Sequence, residues 1–225
     1  MKPRPAMSLL AATAALLCAG CRTMPPPPPP PPPGPPLDPA AAAAHVRSVT
    51  PERFQLLSTV AFSLRGHGMS GLGAIVLDTV TRTFSVVGMT PLGVKLFDIG
   101  YTNGQAVSHY ALPAFTAHGG DFAGTVGGDI ARVYFDLAPG TNAVAGPHPA
   151  GVEFTEPQGR GTLQLVYAAP GVLTEKLYVE SGRTAWIIEY RDYREQGGKL
   201  YPAFVFLKNR KYHYTLTVRL KEIMD

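Results

Sequence analysis

Cysteine is nearly absent from this chain of 225 residues, and the two that occur, Cys18 and Cys21, both lie near the amino terminus. The long remainder therefore has no thiol nucleophile, no thiolate metal site and no internal disulfide. Charged residues are also scarce, at 16%, and tryptophan occurs once, as Trp186. Glycine and proline, with 24 and 23 residues, are instead frequent, which is typical of a protein built from strands and turns.

Catalytic and metal-binding patterns are missing as well. The six histidines show no metal-ligand spacing, and the sequence contains no HExxH, GxSxG or phosphate-binding loop. The formal net charge is +4, which is too small to indicate nucleic-acid binding. We therefore predict that the protein is not an enzyme, binds no nucleic acid and uses neither a metal nor a cofactor.

The amino terminus has the order of an export signal. Lys2 and Arg4 precede an apolar run from Leu9 to Leu17, which is too short to span a bilayer as a helix, and small residues then lead to Cys21. This order resembles a bacterial lipoprotein signal, in which cleavage falls before the cysteine and the new terminal cysteine is acylated. A plain secretory signal is the alternative.

The resemblance to a lipoprotein signal implies that residues 1–20 are a signal peptide and that Cys21 is the lipidated residue. In Gram-negative lipoproteins, a residue other than aspartate directly after the cysteine is typical of retention in the outer membrane, and Arg22 stands there. The resemblance therefore implies a cell-envelope protein, an outer-membrane lipoprotein that faces the periplasm.

A proline run from Pro25 to Pro33 follows, and it predicts a solvated polyproline II rod, because such a segment has few amide donors and a fixed φ. We interpret residues 21–38 as the lipidated cysteine and a proline-rich tether. A ligand for proline-reading domains is the competing interpretation. Asp38 and Pro39 predict the start of a short helix, because they suit the N-cap and the first helical position. The folded domain is predicted to cover residues 39–225.

Most of this domain alternates apolar and polar residues with a period of two, which predicts antiparallel strands joined by turns. The predicted strands are 54–64, 72–79, 83–89, 94–101, 106–112, 152–155, 161–168, 172–180, 184–193, 200–207 and 212–220. Residues 141–150 are predicted to be a loop. About ten or eleven strands with one or two helices predict a mainly β fold, in which a curved antiparallel sheet forms an incomplete, half-open barrel with a helical lid.

The helical lid is predicted over 122–137, where the apolar residues recur at helical spacing. Gly124, Gly127 and Gly128 each weaken a helix by about 1 kcal/mol relative to alanine. Such a helix has to be held by packing against the sheet.

The segment Thr90-Pro91-Leu92-Gly93 is a predicted turn between two of the strands. Pro91 sets a φ that suits the second position of a turn, and Gly93 supplies any positive φ that the turn requires. Leu92 is thereby placed at the tip, where a leucine is unusual for a soluble loop. Either Leu92 folds back to cap the core, or it is an exposed apolar group that enters a membrane.

The lipoprotein signal, the Pro91-Leu92-Gly93 turn, the following Phe97-Asp98-Ile99 strand and the mid-chain helix together resemble LolB, the outer-membrane receptor for lipoproteins, and its soluble relative LolA. They are also similar to a LolB-like lipoprotein family, the domain of unknown function 3261, which is found with aryl-polyene gene clusters. The resemblance implies an open antiparallel half-barrel with a helical lid, whose apolar cavity holds acyl chains. It also implies that Leu92 assists insertion of cargo into the membrane.

We therefore expect a membrane-anchored receptor or carrier that binds acyl chains, as lipid or as acylated protein, and assists their transfer or insertion at the membrane. A LolA-like periplasmic carrier is an implied partner, and a monomer is expected. The candidate lining residues of the cavity are Phe62, Leu64, Phe84, Val86, Leu96, Phe122, Val126, Ile130 and Trp186. The alternative is a structural or assembly lipoprotein of the envelope that has no ligand cavity and docks a partner protein through an edge strand.

Overall fold

The computed structural model describes residues 26–30, 32–64, 67–116 and 120–224. The predicted signal peptide and Cys21 lie outside these residues. Twelve strands of the described chain form one antiparallel sheet, and three helices are described with them.

The elements follow one another in this order along the chain. The helices are α1 (Pro39–Val49), α2 (Pro113–Thr116) and α3 (Phe122–Tyr134). The strands are β1 (Arg53–Leu64), β2 (His67–Asp78), β3 (Thr83–Met89), β4 (Lys95–Thr102), β5 (Gln105–Ala111), β6 (Val144–His148), β7 (Gly151–Gln158), β8 (Gly161–Ala168), β9 (Val172–Glu180), β10 (Arg183–Gln196), β11 (Lys199–Asn209) and β12 (Tyr214–Met224).

The strand order in the sheet is β5-β4-β3-β2-β1-β12-β11-β10-β9-β8-β7-β6, so the first strand pairs with the last. The two outermost strands, β5 and β6, do not pair with each other, and the curved sheet is therefore open. The prediction of a mainly β fold with an unclosed, curved antiparallel sheet and helices is confirmed. The number of strands is twelve, one more than the upper end of the expectation.

The additional strand is β6, and the prediction of a loop over 141–150 was wrong at this point. Gly146 and Pro147 concealed the strand, because both residues are depleted from strand interiors. Proline is tolerated here because β6 is an edge strand with β7 as its neighbour, so the amide that Pro147 lacks is not needed on the open side.

One face of the sheet carries the hydrophobic core, and we call it the inner face. Its side chains alternate along the strands, as Leu163, Leu165 and Tyr167 do on β8. The helix α1 contributes Ala42, Ala43 and Val46 to the same core, and the carboxyl-terminal part of α3 contributes Val133 and Tyr134. We call the opposite side the outer face. Both helices thus cover the inner face of the sheet.

The helix α1 begins as predicted. Asp38 is its N-cap and accepts a hydrogen bond from the Ala41 amide at 2.7 Å, and Pro39 occupies the first turn. The apolar side of α1 packs against the β9 and β11 region of the sheet.

The glycine-rich helix α3 is held by packing, in agreement with its weak intrinsic propensity. Asp121 is the N-cap and accepts from the Gly124 amide at 2.7 Å. Gly127 lies so close to β5 that an added Cβ would stand 2.5 Å from the Cβ of Ala106. A glycine at this position therefore lets the helix approach the edge of the sheet.

The described part of the proline-rich segment lies against the protein. Arg219 of β12 donates to the carbonyl oxygen of Pro26 at 2.8 Å, and Arg191 of β10 donates to that of Pro28. The expectation of a wholly solvated rod was therefore wrong for these residues. Proline carbonyls have no neighbouring amides to bind, so they remain free to accept from side chains on the sheet.

Candidate functional site

The β3–β4 turn presents Leu92 to solvent. The Gly93 amide donates to the Thr90 carbonyl at 2.9 Å, the Thr90 amide donates to the Val94 carbonyl at 2.9 Å, and the Val94 amide reaches Thr90 Oγ1 at 3.1 Å. Gly93 has a φ of 83°, the conformation that the sequence required of it. Leu92 is 94% exposed, so it does not cap the core. The turn is held by its backbone and by Thr90, which leaves the leucine side chain free.

Other exposed apolar side chains share this end of the sheet. Leu64 and Met69 lie near the turn of the β1–β2 hairpin, and Val94 stands two residues after Leu92 at the β3–β4 turn. Both connections are at the same end because Leu72 of β2 pairs with Met89, the last residue of β3. We call Leu64, Met69, Leu92 and Val94 the apolar rim. Clustered exposed apolar side chains of this kind are typical of a surface that contacts a membrane or a partner.

Three phenylalanines form a cluster next to the rim. Phe122 of α3 contacts Phe97 of β4 at a centroid distance of 5.4 Å and stacks on Phe115 of α2 at 4.9 Å. Phe97 and Phe115 complete the triangle at 6.0 Å. The amino-terminal end of α3 is therefore held to the sheet by apolar ring contacts, and we call these three residues the aromatic latch.

The carboxyl-terminal end of α3 is fixed differently, by buried hydrogen bonds. Lys176 of β9 donates to the carbonyls of Arg132 at 2.9 Å and Phe135 at 2.5 Å. Tyr190 of β10 donates to the Val133 carbonyl at 2.8 Å. These side chains satisfy carbonyls that the end of a helix leaves without partners. A charged donor in a buried site makes this end much harder to detach than the aromatic latch.

Burial perturbs both donors. It lowers the pKa of Lys176 to about 8, with the nearby charge of Asp136 acting in the opposite direction. Burial likewise raises the pKa of the Tyr190 hydroxyl. Asp136 is itself part of this end of the helix: although burial raises its pKa, the hydrogen bond from Arg82 and the charge of Lys176 hold that pKa below its usual value.

The middle of α3 is tied to β12 by a buried polar cluster. Tyr214 donates to the Asp129 carboxylate, with its hydroxyl 2.8 Å and 2.7 Å from the two oxygens. Asn209 donates to the Tyr214 hydroxyl at 3.0 Å, and Arg132 donates to Asp129 at 2.6 Å. Burial raises the pKa of Asp129, while the Tyr214 hydrogen bond and the Arg132 charge oppose the rise. The cluster is internally satisfied, which indicates a structural role.

The predicted lining residues fall into three groups. Phe84 and Val86 are fully buried, and Phe84 stacks on Tyr101 at 4.7 Å, so the protein's own side chains occupy that part of the inner face. Phe62, Val126 and Ile130 are half-buried and pack against the core. Leu64 belongs to the exposed rim, Phe122 to the aromatic latch, and Trp186 stacks on Tyr178 at 5.7 Å near the other end of α3.

On β4 the inner-face residue that contributes to the aromatic latch is Phe97. Leu96, the predicted lining residue, is half-buried and alternates with Phe97 and Ile99, which pack inward. The sequence signal for Phe97 was the same period of two, but the direction of the strand faces could not be assigned from it. Phe115 was missed because its helix has only four residues.

The described chain carries grooves that open to solvent, among them the following four. The largest of these four, about 690 Å³, lies at the end of the sheet opposite the rim and is lined by Phe54, Leu77 and Phe84 among others. A groove of about 250 Å³ lies beside the carboxyl-terminal end of α3, with Lys176, Tyr178 and Trp186 in its wall. Grooves of about 490 and 280 Å³ lie at the β11–β12 turn and below Tyr134. None of these four grooves lies between the amino-terminal half of α3 and the sheet.

In residues 26–30, 32–64, 67–116 and 120–224, no helix is long and apolar enough to cross a membrane. No group of three or more histidine, cysteine or acidic residues in the same ranges is placed to hold a metal ion.

Comparison with solved structures describes the fold. A LolA superfamily protein from Nitrosomonas europaea superposes with a TM-score of 0.50 at 11% identity, covering 83% of this chain and 93% of that one. A putative outer membrane lipoprotein-sorting protein domain from Vibrio parahaemolyticus gives 0.48 at 7% identity, with 81% and 88% covered. A DUF1329 family protein from Desulfovibrio piger gives 0.45 at 9% identity, with 83% and 93% covered. The first of these superpositions shows that the fold is like that of a LolA superfamily protein.

The family is narrower than the fold. The family described as protein of unknown function (DUF3261) matches residues 58–222, and the chain belongs to it. This match confirms the predicted resemblance. A comparison with curated proteins finds no match.

Proposed function

We propose that the protein is an outer-membrane lipoprotein, anchored through Cys21 and facing the periplasm, that binds acyl chains of lipid or lipoprotein and assists their transfer at the membrane. The LolA-superfamily fold supports this proposal, as does the resemblance of the Pro91-Leu92-Gly93 turn to that of LolB. For lipoprotein cargo, a LolA-like periplasmic carrier is the donor that the proposal requires.

The observation that carries the proposal is the exposure of Leu92. A leucine that is 94% exposed on a turn held by three hydrogen bonds has no packing role in the folded chain. Full burial of a leucine side chain contributes about 1.5–3 kcal/mol, which Leu92 does not supply to folding. Insertion into hydrocarbon would recover it. The neighbouring residues of the apolar rim enlarge the same surface.

The route for an acyl chain is between α3 and the strands beneath the rim. Detaching the carboxyl-terminal end of α3 would leave the Lys176 ammonium buried without its carbonyl partners, which is costly. Detaching the amino-terminal end breaks the two ring contacts that Phe122 makes with Phe97 and Phe115, each worth about 0.5–1.5 kcal/mol beyond the area that the rings bury. The latch is therefore the end that opens.

Acyl burial is large enough to drive this opening. Eight methylenes, at about 0.8 kcal/mol each, contribute about 6 kcal/mol when they leave water. This exceeds the roughly 1–3 kcal/mol of the two ring contacts of Phe122. Val126 and Ile130, one and two turns beyond Phe122 on α3, would then line the bound chain together with Phe62. The phenylalanines need not return to water, since they would pack against the acyl chain instead.

The proposal is tested by titrating the mature chain with a fluorescent long-chain fatty acid. Val126→Glu places a carboxylate on the side of α3 that packs against the core, and it is expected to reduce acyl affinity at least tenfold. Thr125→Glu places the same carboxylate on the exposed side of the same turn and is the matched control. Equal affinities for the two variants, or no saturable binding by the parent chain, would contradict acyl binding under α3.

Folding of the Val126→Glu variant has to be verified separately. Circular dichroism melting of both variants serves this purpose. If Val126→Glu is unfolded, Val126→Trp replaces it, because a larger apolar side chain fills the same space without introducing charge. Val126→Trp is expected to reduce the amount of fatty acid bound per protein chain without making the protein less soluble.

A second candidate function is a structural or assembly lipoprotein that binds a partner protein. The observation in its favour is the filled inner face, where Phe84, Tyr101 and Phe135 contact one another with centroid distances of 4.7–6.2 Å. The open edges β5 and β6 would be available for pairing with a partner strand. A chain that takes up no acyl probe but captures an envelope protein through one of these edges would favour this candidate.

A further inference from the structure

The outer face of the sheet carries a row of three side chains that matches a proline segment. Arg191, Phe204 and Arg219 are direct cross-strand neighbours on β10, β11 and β12. Their side chains alternate with Tyr190, Val205 and Leu220, which belong to the core, so they point outward. The Arg219 guanidinium lies over the Phe204 ring at 4.8 Å. The row therefore offers two cationic donors on either side of an aromatic ring.

Phe204 is buried although it lies on the outer face. It is 1% exposed, and Val166 and Ala168 of β8, which also alternate with core residues, are buried as well. These three side chains require a cover that the core does not provide. The hydrogen bonds from Arg219 to the Pro26 carbonyl and from Arg191 to the Pro28 carbonyl place the proline-rich segment over this part of the outer face.

The far end of the segment is also fixed. Gly34 lies against the Ala150 carbonyl, which an added Cβ would approach to 3.2 Å, and Leu37 packs beside Gly151 against the core. From Pro26 to Gly34 is eight residues, about 25 Å for a polyproline II helix. From β12 to β7 is five strand spacings, about 24 Å. The two lengths agree, as expected for a rod that crosses the strands.

We propose that the described residues 26–30 and 32–36 are a strap that docks on the outer face of the half-barrel, with Leu37 fixing its end at the core, and that this strap limits how far the folded domain extends from the membrane. A proline residue offers a carbonyl acceptor and has no backbone N–H donor, whereas the guanidinium groups of Arg191 and Arg219 carry N–H donors and no acceptor atoms. The two surfaces are therefore chemically complementary. A rod with fixed φ also loses little conformational entropy on docking.

The strap changes the reach of the anchor, a consequence that depends on the proposed acylation of Cys21. A free tether of 17 residues, from 22 to 38, would extend about 53 Å as polyproline II. With the strap docked, five Cα steps separate Cys21 from Pro26, at most about 17 Å. The outer face at β12 is then held close to the membrane surface.

The strap is tested by pulsed electron paramagnetic resonance, which measures the distance between two spin labels on the unacylated Cys21→Ser chain. Spin labels are placed at Pro27→Cys on the strap and at Ser85→Cys on the outer face of β3, both exposed positions. Strand spacing and rise place the two sites about 25 Å apart when the strap is docked. A single narrow distance peak is expected. The double substitution Arg191→Gln with Arg219→Gln is expected to broaden it to a spread of more than about 20 Å.

The matched control removes two exposed cations of the same sheet, Arg183→Gln with Lys208→Gln, and is expected to keep the narrow peak. A variant with a glycine and serine sequence over 28–33 leaves the sheet intact and should also give the broad distribution. A broad distribution in the parent chain, or a narrow one that the arginine substitutions leave unchanged, overturns the proposal.

The acylated chain in nanodiscs tests the reach separately. The distance from a label at Ser85 to labelled lipid headgroups should be confined in the parent and should lengthen in the Arg191→Gln, Arg219→Gln variant. Absence of acylation would appear as failure to associate with nanodiscs, while the narrow peak in the Cys21→Ser chain would persist. Failure of the anchor and failure of the strap are thus distinguishable. An unchanged headgroup distance in the variant overturns the limit on reach.

Discussion

Replacement of Leu92 by glutamate separates membrane insertion from folding. The Leu92 side chain is 94% exposed, and the hydrogen bonds of its turn are made by Thr90, Gly93 and Val94. The substitution therefore removes no packing, and we expect the free energy of unfolding to change by less than about 0.5 kcal/mol. Any larger functional loss has to arise outside the folded chain.

The expected loss is set by the leucine side chain itself. Transfer of an exposed leucine into hydrocarbon contributes about 1.5–3 kcal/mol, and a carboxylate at the same position contributes nothing favourable. At 1.36 kcal/mol for each factor of ten, Leu92→Glu should weaken vesicle partitioning by about 10- to 150-fold. Leu92→Ala, which keeps one of the four side-chain carbons, should fall between the parent and Leu92→Glu.

The assay is partitioning of the Cys21→Ser chain onto lipid vesicles, followed by flotation over a range of lipid concentrations. The matched control is Val80→Glu, which introduces the same charge at an exposed aliphatic residue of the β2–β3 connection, at the opposite end of the sheet. Thermal melts of both variants verify folding. Equal partitioning of Leu92→Glu and Val80→Glu would refute the assignment of Leu92 as the membrane-inserting group.

Three further predictions concern how α3 is held. The pKa of Lys176 is about 8 in the folded chain and 10.5 in the unfolded chain, so the unfolded state binds more protons between these two pH values. The free energy of unfolding should therefore rise with pH in this range, by up to about 3 kcal/mol. Lys176→Met should abolish this rise in denaturant titrations at pH 8 to 10. Gly127→Ala should destabilise the fold by about 1–3 kcal/mol through overpacking against β5, whereas Gly128→Ala, whose Cβ has room, should stabilise it by up to about 1 kcal/mol, as chemical denaturation would show. Tyr214→Phe removes the hydroxyl donor of the buried Asp129 carboxylate, leaves Arg132 as its remaining side-chain donor, and should cost about 1.5–3 kcal/mol, measured by the same method.

Much of the fold followed from local sequence signals. The period of two located eleven of the twelve strands, Asp38 marked the N-cap of α1, and the helical spacing of apolar residues located α3. Pro91 and Gly93 at the β3–β4 connection likewise predicted a tight turn from residue type. These features are local, because each depends on residues within four positions of one another.

The remaining features depend on contacts between distant parts of the chain. Lys176 satisfies carbonyls 41 and 44 residues away, and Arg191 and Arg219 meet prolines 163 and 193 residues away. A lysine or arginine in a strand reads as a solvated side chain unless its partner is known. The lining prediction was limited for the same reason: periodicity divides a strand into two faces but does not say which face is covered.

The central claim is that the half-barrel shelters acyl chains, and native mass spectrometry of the protein extracted from its own envelope tests it most directly. The predicted result is a folded chain, heavier at Cys21 by its acyl groups, that carries one additional non-covalent ligand containing a fatty acyl chain. Recovery of the folded, acylated chain without any acyl ligand, under conditions that preserve other lipid complexes, would contradict it.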